Sequence, residues 1–215
     1  MARVIALIKA NPAATSVAAG LFVLAMLVAI LIGLPPPFMI ALYVVFVVVA
    51  WRIYRWRMRG HDPRPATAPG GILATSTAVA FVIVALAAQA VPYGRSHSNP
   101  AITGEPQWAN AETRALMVRA CFDCHSNEVE WPWYSNVAPL SWAVTKHVDD
   151  GRNKVNYSEF DQPQRDADKS LEEVENGSMP PPYYTFGGVH SDAKLTPAEM
   201  TTLLEGLAAT PGLSE

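Results

Sequence analysis

Cys121-Phe122-Asp123-Cys124-His125 contains both cysteines of this chain of 215 residues. The CxxCH pattern is the attachment signature of c-type haem, because two thiols on one helical turn can each bond a vinyl group of the same porphyrin. The histidine that follows is then placed against the iron, and the other axial ligand comes from elsewhere in the chain. We therefore predict one covalent haem c, bound by Cys121, Cys124 and His125, with His125 as an iron ligand.

A CxxC pair has two other common uses, a structural zinc site and a dithiol redox site. With no further cysteine in the chain, zinc would need both remaining ligands from scattered histidines. A thioredoxin-like dithiol would lie beside a βαβ pattern, which the sequence does not show. The pattern therefore favours haem over these two alternatives.

The chain changes character near residue 91. Residues 1–91 carry seven Lys or Arg and one acid, whereas residues 92–215 carry nine basic and eighteen acidic residues. This asymmetry is typical of a membrane-embedded head followed by an acidic soluble tail. The acidic tail argues against a nucleic-acid partner, since phosphates would repel it.

Three apolar runs in the head predict three transmembrane helices. The first two runs, about Ala13–Leu34 and Phe38–Tyr54, are separated by Pro35-Pro36-Pro37, and proline breaks helices because it lacks the backbone donor. The third run is about Gly71–Val91. A cleaved signal peptide is the alternative for the first run.

Basic residues near the predicted spans indicate the topology, since Lys and Arg are retained on the cytoplasmic side. They precede the first span and crowd the connection between the second and third spans. The N-terminus is therefore predicted to be cytoplasmic. The domain after the third span is then periplasmic on a multi-pass inner-membrane protein. The residues concerned are Arg3, Lys9, Arg52, Arg55, Arg57, Arg59 and Arg64.

The domain boundaries follow from these patterns, with a three-helix anchor over 1–91, a linker rich in Pro, Gly and Ser over 92–108, and a haem-binding domain over 109–215. The overall fold class is predicted to be all-α. Helix signals in the haem-binding domain predict helices over Ala109–Cys124, over Pro139–Asp150 stopped by Gly151, over Asp166–Asn176 stopped by Gly177, and after the capping box Thr196-Pro197-Ala198-Glu199.

Aromatic residues are concentrated in Trp131-Pro132-Trp133-Tyr134. So much ring surface in a soluble domain must be buried, and a porphyrin is the predicted contact. The alternative is a belt of aromatic side chains at the membrane interface.

Met179 is the candidate for the second axial ligand. It follows a helix stop at Gly177-Ser178 and precedes Pro180-Pro181-Pro182, whose fixed φ holds the segment extended. A stiff loop of this kind can hold a thioether against iron. A methionine that merely fills a gap is the alternative. His147 and His190 are rival ligands, although a solvated or capping role is commoner for a histidine placed like His147. His190 and Arg152 are candidates for bonding a haem propionate. Tyr183 and Tyr184 could do the same, and packing on the haem edge is the simpler role for these two tyrosines.

A resemblance to a known family is carried by four segments, CFDCHSNEVEWPWYSNVAPLSW, GRNKVNYSEF, NGSMPPPYYTFGGVH and LTPAE. Together they resemble the haem-binding domain of membrane-anchored monohaem c-type cytochromes. The likeness covers about Gln107–Leu207 and leaves out the head. The resemblance implies a small, all-helical, cytochrome c-like fold around one haem, with His125 and Met179 as axial ligands.

The expected function is one-electron transfer by a membrane-bound cytochrome that is not itself an enzyme. A three-span anchor suggests a fixed subunit of a larger respiratory or photosynthetic complex. Its expected partners are the other subunits, redox proteins and membrane lipid. The alternative is a haem-based sensor or a small haem enzyme with an exchangeable sixth ligand. A structural subunit with a vestigial haem is a third possibility.

Overall fold

The computed structural model describes residues 36–59, 69–185, 188 and 190–214. The chain divides into two compact units, Met1–Pro92 and Tyr93–Glu215. The described residues form helices and turns, with one isolated parallel bridge between Gly104 and Glu159. The predicted all-α fold is confirmed for this part of the chain.

The first unit contains two described helices, α1 (Pro36–Arg59) and α2 (Pro69–Gln89), which pack against each other. Ser76 and Ala80 of α2 are fully buried, and small side chains of this kind let helices approach closely. The Ser76 hydroxyl donates to the carbonyl of Ile72 at 2.6 Å. Its buried polar group is therefore satisfied within the helix.

No helix in the described parts of the chain is long and apolar enough to cross a membrane. The predicted spans Phe38–Tyr54 and Gly71–Val91 are therefore not supported. In α1 the last turns carry four arginines, which leave the apolar part shorter than the roughly 20 residues of a span. The predicted span Ala13–Leu34 lies outside the described residues.

The second unit contains five described α-helices, joined by short 3₁₀ turns. The helices are α3 (Ala111–Ala120), α4 (Phe122–His125), α5 (Leu140–Lys154), α6 (Ser170–Glu175) and α7 (Pro197–Ala209), and the 3₁₀ turns are Trp133–Asn136, Ala167–Lys169 and Ser191–Ala193.

The single helix predicted over Ala109–Cys124 is interrupted at Cys121. The φ of −128° at this residue leaves helical geometry, so the following turn, α4, is a separate element. Asn110 caps the start of α3 by accepting a hydrogen bond from the Thr113 N–H at 2.8 Å. The attachment motif therefore lies at the break between two helices and not on the end of one.

α3 and α7 pack together to form the core of the second unit. A side chain at Gly206 of α7 would collide with the side chain of Thr113, so glycine is needed for this close approach. Leu207 is fully buried beside the crossing, and burying such a side chain is worth about 1.5–3 kcal/mol. The core also includes Leu116, Met117, Phe122, Tyr157, Leu203 and Leu213.

Two of the predicted helix signals are confirmed and one is wrong. The capping box forms as predicted, with the Thr196 and Glu199 side chains bonding each other's backbone N–H. Gly177 follows α6 with a φ of +75°, which favours glycine. Gly151, however, does not end its helix, since α5 continues to Lys154. Glycine is needed at this position because α5 packs closely there against the backbone of Cys124.

Candidate functional site

The attachment motif lies in the wall of a cavity of about 410 Å³ within the second unit. This volume is in the range of about 300–1,000 Å³ that is typical of small-molecule and cofactor sites. Cys121, Cys124, His125 and Met179 all line the cavity. The fold therefore brings together the four predicted haem-binding residues, although Met179 is distant from the others in sequence.

The two thiols are presented by the short turn of α4. The N–H groups of Cys124 and His125 both donate to the carbonyl of Cys121, at 3.1 Å and 3.0 Å. Both cysteines are free. Burial raises the pKa of each thiol to about 12, so both are protonated at neutral pH. A reactive dithiol requires the opposite shift, and the redox-dithiol alternative is therefore not favoured.

His125 is held with one ring nitrogen available to the cavity. Its Nδ1 lies 3.1 Å from the carbonyl of Val155. Because a carbonyl only accepts, Nδ1 carries the proton and Nε2 of the neutral ring keeps its lone pair. Burial lowers the pKa of His125, partly offset by hydrogen bonds to the carbonyls of Val155 and Gly151. A neutral, oriented imidazole of this kind is the form that binds metals.

α5 packs against the backbone of the attachment turn. A β-carbon at Gly151 would collide with the carbonyl of Cys124, so α5 approaches this turn at a distance that only glycine allows. The next residue, Arg152, donates to the carbonyls of Ser126 at 2.8 Å and Ser98 at 3.0 Å. Arg152 does not line the cavity. Its hydrogen bonds hold the chain that leaves the turn, a role different from the propionate contact considered above.

A buried polar network fixes the residues that follow His125. The Asn127 N–H donates to the Ser158 hydroxyl at 2.9 Å, and the Asn156 amide donates to the Asn127 side-chain oxygen at 3.0 Å. The Ser158 N–H in turn donates to the Asn156 side-chain oxygen at 3.1 Å. Buried networks of this kind rigidify a structure when every member is satisfied. The carbonyl of His125 itself accepts from the Tyr157 N–H at 2.8 Å.

Met179 reaches the same cavity from the loop after α6. Its N–H donates to the carbonyl of Glu173 at 2.9 Å, and Pro180 and Pro181 line the cavity beside it. The side chain also packs against the hydrophobic core. The stiff loop predicted from the prolines is therefore anchored to α6 at the methionine.

The two rival histidines differ in their positions. His147 of α5 lines the cavity, with its ring centroid 5.3 Å from that of Tyr183. His190 does not line it. The Nε2 atom of His190 lies 2.7 Å from the Tyr134 hydroxyl, and its ring stacks on Tyr184 with a centroid distance of 4.0 Å.

The aromatic loop does not line the cavity, so the predicted porphyrin contact is not supported by the lining. Trp131, Trp133 and Tyr134 are absent from the cavity lining. Trp133 is 78% exposed, and Trp131 stacks on His97 with a centroid distance of 4.6 Å. The stacking of Trp131 on His97 could not be predicted from the sequence pattern.

Several polar residues of the cavity were not predicted. Lys154 and Lys169 line it, and both bond Asp166, at 2.9 Å and 3.2 Å. The Tyr184 hydroxyl donates to Asp123, the third residue of the attachment motif, at 2.6 Å. Lys169 and Asp166 are three residues apart, a spacing that the sequence does offer. The contact between Tyr184 and Asp123 joins residues 61 positions apart, so no local sequence signal could have identified it.

The donor set fits a haem better than a structural metal ion. The described residues contain no group of three His, Cys, Asp or Glu side chains that could hold a metal ion. One turn instead offers two free thiols and one neutral imidazole to a cavity with apolar walls that include Met117, Val155 and Leu207. The lining also holds two lysines, both bonded to Asp166, and the acidic residues Asp123, Asp150 and Glu173.

A cavity built in this way around a CxxCH turn defines a haem protein. A family model described as a haem-binding domain matches residues 83–209, which is more than half of the chain. The chain therefore belongs to this haem-binding domain family. Comparison with curated proteins and with solved structures finds no match. The matched region begins inside α2, earlier in the chain than the predicted haem-binding domain.

Proposed function

We propose that this protein is a monohaem c-type cytochrome that carries single electrons. Cys121 and Cys124 bind the haem covalently, and His125 and Met179 are its axial ligands. The observation that carries the proposal is that all four residues line one cavity. When bound, the haem supplies a one-electron iron couple, and the protein sets its potential through the ligands and their surroundings.

Each part of the site has a defined role in this proposal. The carbonyl of Val155 orients His125 and keeps its Nε2 atom available to the iron. The loop of Met179 places a soft thioether, which raises the haem potential relative to a second histidine. The apolar walls of the cavity limit water at the cofactor. No group transfer to a substrate is required of any residue.

The most direct test of the ligand assignment is Met179→Ala in the intact haem-loaded protein. We expect loss of the weak thioether-to-iron absorption band at the red end of the spectrum and a lower potential. The ferrous form should also become reactive to carbon monoxide. Met200→Ala is the matched control, because Met200 packs against the core but does not line the cavity. An unchanged band in Met179→Ala would refute the assignment.

The second candidate is a haem-based sensor or small haem enzyme with an open sixth position. The presence of His147 in the cavity lining favours this candidate, since a polar group near the iron can stabilise a bound gas or peroxide. Carbon monoxide distinguishes the two functions. A ferrous wild-type protein whose spectrum carbon monoxide leaves unchanged supports electron transfer, and an immediate shift supports the second candidate.

We also propose that the first unit attaches the protein to the inner membrane within a larger complex, with the haem domain on the periplasmic side. Large apolar side chains on α1 and α2 support the proposal, since Ile40 is 61% exposed, Phe81 is 66% exposed and Leu86 is 67% exposed. Exposed apolar surface of this kind is typical of contacts with lipid or protein. Extraction of native membranes at alkaline pH tests the attachment. The protein should stay in the membrane pellet, and its release would contradict the proposal.

A further inference from the structure

Tyr184 forms a short hydrogen bond with the attachment turn. Its hydroxyl donates to Oδ2 of Asp123 at 2.6 Å, and both residues line the cavity. Asp123 lies between the two cysteines in the sequence. A hydrogen bond to an ionised carboxylate is about twice as strong as one between neutral groups. The bond therefore links the loop that follows Met179 directly to the turn that carries His125.

Both partners of this hydrogen bond are fixed by further contacts. The other carboxylate oxygen of Asp123 accepts from the Glu130 N–H at 3.0 Å. The Tyr184 ring stacks on His190, at 4.0 Å and 14° between the ring planes, and His190 is bonded to the Tyr134 hydroxyl at 2.7 Å. Neither the phenol nor the carboxylate can turn away without breaking a second interaction.

The loop of Met179 is anchored at its start and closes into a turn at its end. The Met179 N–H donates to the carbonyl of Glu173 in α6 at 2.9 Å, and the Tyr184 N–H donates to the carbonyl of Pro181 within the loop at 2.9 Å. Three prolines between these points restrict the backbone, because their φ angles are fixed. The side-chain bond from Tyr184 to Asp123 then sets where the whole loop lies relative to His125.

We propose that Tyr184 is a positioning residue for the sixth iron ligand. Its hydrogen bond to Asp123 joins the Met179 loop to the haem-attachment turn and so sets the strength of the methionine-to-iron bond. This inference rests on the proposed function, in which Met179 and His125 are the axial ligands. Tyr184 itself acts through Met179 and does not bind the iron.

The test is Tyr184→Phe in the full-length haem-loaded protein, which removes one oxygen and keeps the stacked ring. Covalent haem content should equal that of the wild type. The thioether-to-iron band should weaken and the potential should fall. The fraction of ferrous protein that reacts with carbon monoxide should rise roughly tenfold or more, as expected for the loss of a charge-assisted hydrogen bond.

Two further variants sharpen the experiment. Asp123→Asn weakens the same bond from the other side and should change the band in the same direction. Tyr93→Phe also loses one hydroxyl from an exposed tyrosine of the second unit that does not line the cavity. Its band, potential and carbon monoxide reactivity should match those of the wild type.

The outcomes separate this inference from the proposed function. A wild-type protein without covalent haem, or without the thioether band, overturns both. A normal wild type with a Tyr184→Phe variant of unchanged band, potential and carbon monoxide reactivity overturns only the role of Tyr184, even if that variant unfolds at a lower temperature. If Tyr184→Phe lost its haem, the thioether-to-iron band of a Tyr134→Phe variant would test the inference instead. That change loosens His190 and should shift the band less but in the same direction, and an unchanged band would overturn the inference.

Discussion

Gly151 shows how the absence of one side chain can shape this site. Alanine is normally preferred to glycine inside a helix by about 1 kcal/mol. Gly151 nevertheless lies within α5, where a β-carbon would collide with the carbonyl of Cys124. The glycine therefore gives up some helix stability and allows close contact between α5 and the CxxCH turn.

We expect Gly151→Ala to destabilise the protein, despite the better helix propensity of alanine. The collision must push α5 or the attachment turn aside, and such overpacking typically costs about 1–3 kcal/mol. Urea unfolding should show the loss, and haem incorporation should decrease because Cys124 is displaced. Asn153→Ala, at an exposed position of the same helix, is the control and should change little. Equal or higher stability of Gly151→Ala would mean that this contact does not constrain the turn.

At the residue scale, the sequence predicts local signals and misses contacts between distant segments. The capping box at Thr196 and Glu199 and the stop at Gly177 depend only on neighbouring backbone, and both are confirmed. The predicted stop at Gly151 is wrong because the same residue type also serves close packing. The bond between Tyr184 and Asp123 depends on the tertiary fold, so nothing in either local sequence predicts it.

At the scale of helices, the crossing of α3 and α7 also depends on a glycine that allows close approach, as the contact at Gly151 does. Gly206→Ala should destabilise the second unit by about 1–3 kcal/mol, since the new methyl group meets the side chain of Thr113. Thermal unfolding of the purified protein measures this effect. Ala208→Gly, at an exposed position of α7, should cost no more than about 1 kcal/mol through helix propensity. A stabilised Gly206→Ala variant would contradict the close crossing.

The same two helices are joined by an ion pair whose contribution depends on pH. Glu199 bonds the Thr196 N–H at 2.8 Å and Arg119 of α3 at 2.6 Å. The Thr196 backbone first, and Arg119 next, lower the pKa of Glu199 to about 2. Because the folded-state pKa is lowered, ionised Glu199 stabilises the protein above its ordinary pKa of 4.5, and this contribution is lost as the pH falls toward 2.

Comparing Glu199→Gln with the wild type across pH tests this effect. The variant should be less stable at pH 7, and the difference between the two unfolding midpoints should shrink progressively between about pH 4.5 and pH 2. Glu205→Gln changes an exposed residue of the same helix and serves as the control. A difference that stays constant across this pH range would show that ionisation of Glu199 does not contribute.

The ends of helices can be predicted where a capping residue or a proline determines them. They cannot be predicted where the backbone bends to form the cofactor site. The break at Cys121 separates α3 from α4, although the apolar pattern continues through it and predicts one helix. The concentration of aromatic residues in Trp131-Pro132-Trp133-Tyr134 predicts packing on a porphyrin. In the structure Trp131 stacks on His97 and Tyr134 bonds His190, two residues that lie far away in the sequence.

At the scale of the whole molecule, the change in composition near residue 91 coincides with the division between the two units at Pro92. The family match nevertheless begins at residue 83, inside α2. The second and third predicted spans are not supported by the described helices, and the first lies outside the described residues. The arginines that end α1 interrupt the second run. Membrane attachment therefore stays a prediction to be tested by extraction.

The central claim is that this chain carries a covalent haem on Cys121 and Cys124. Mass spectrometry of the intact protein, purified from a host that attaches c-type haem and then extracted with acidified acetone, tests this claim most directly. The account predicts a polypeptide heavier by one haem, and the Cys121→Ala/Cys124→Ala double variant should lack this added mass. A wild-type chain at the mass of the bare polypeptide would contradict the account.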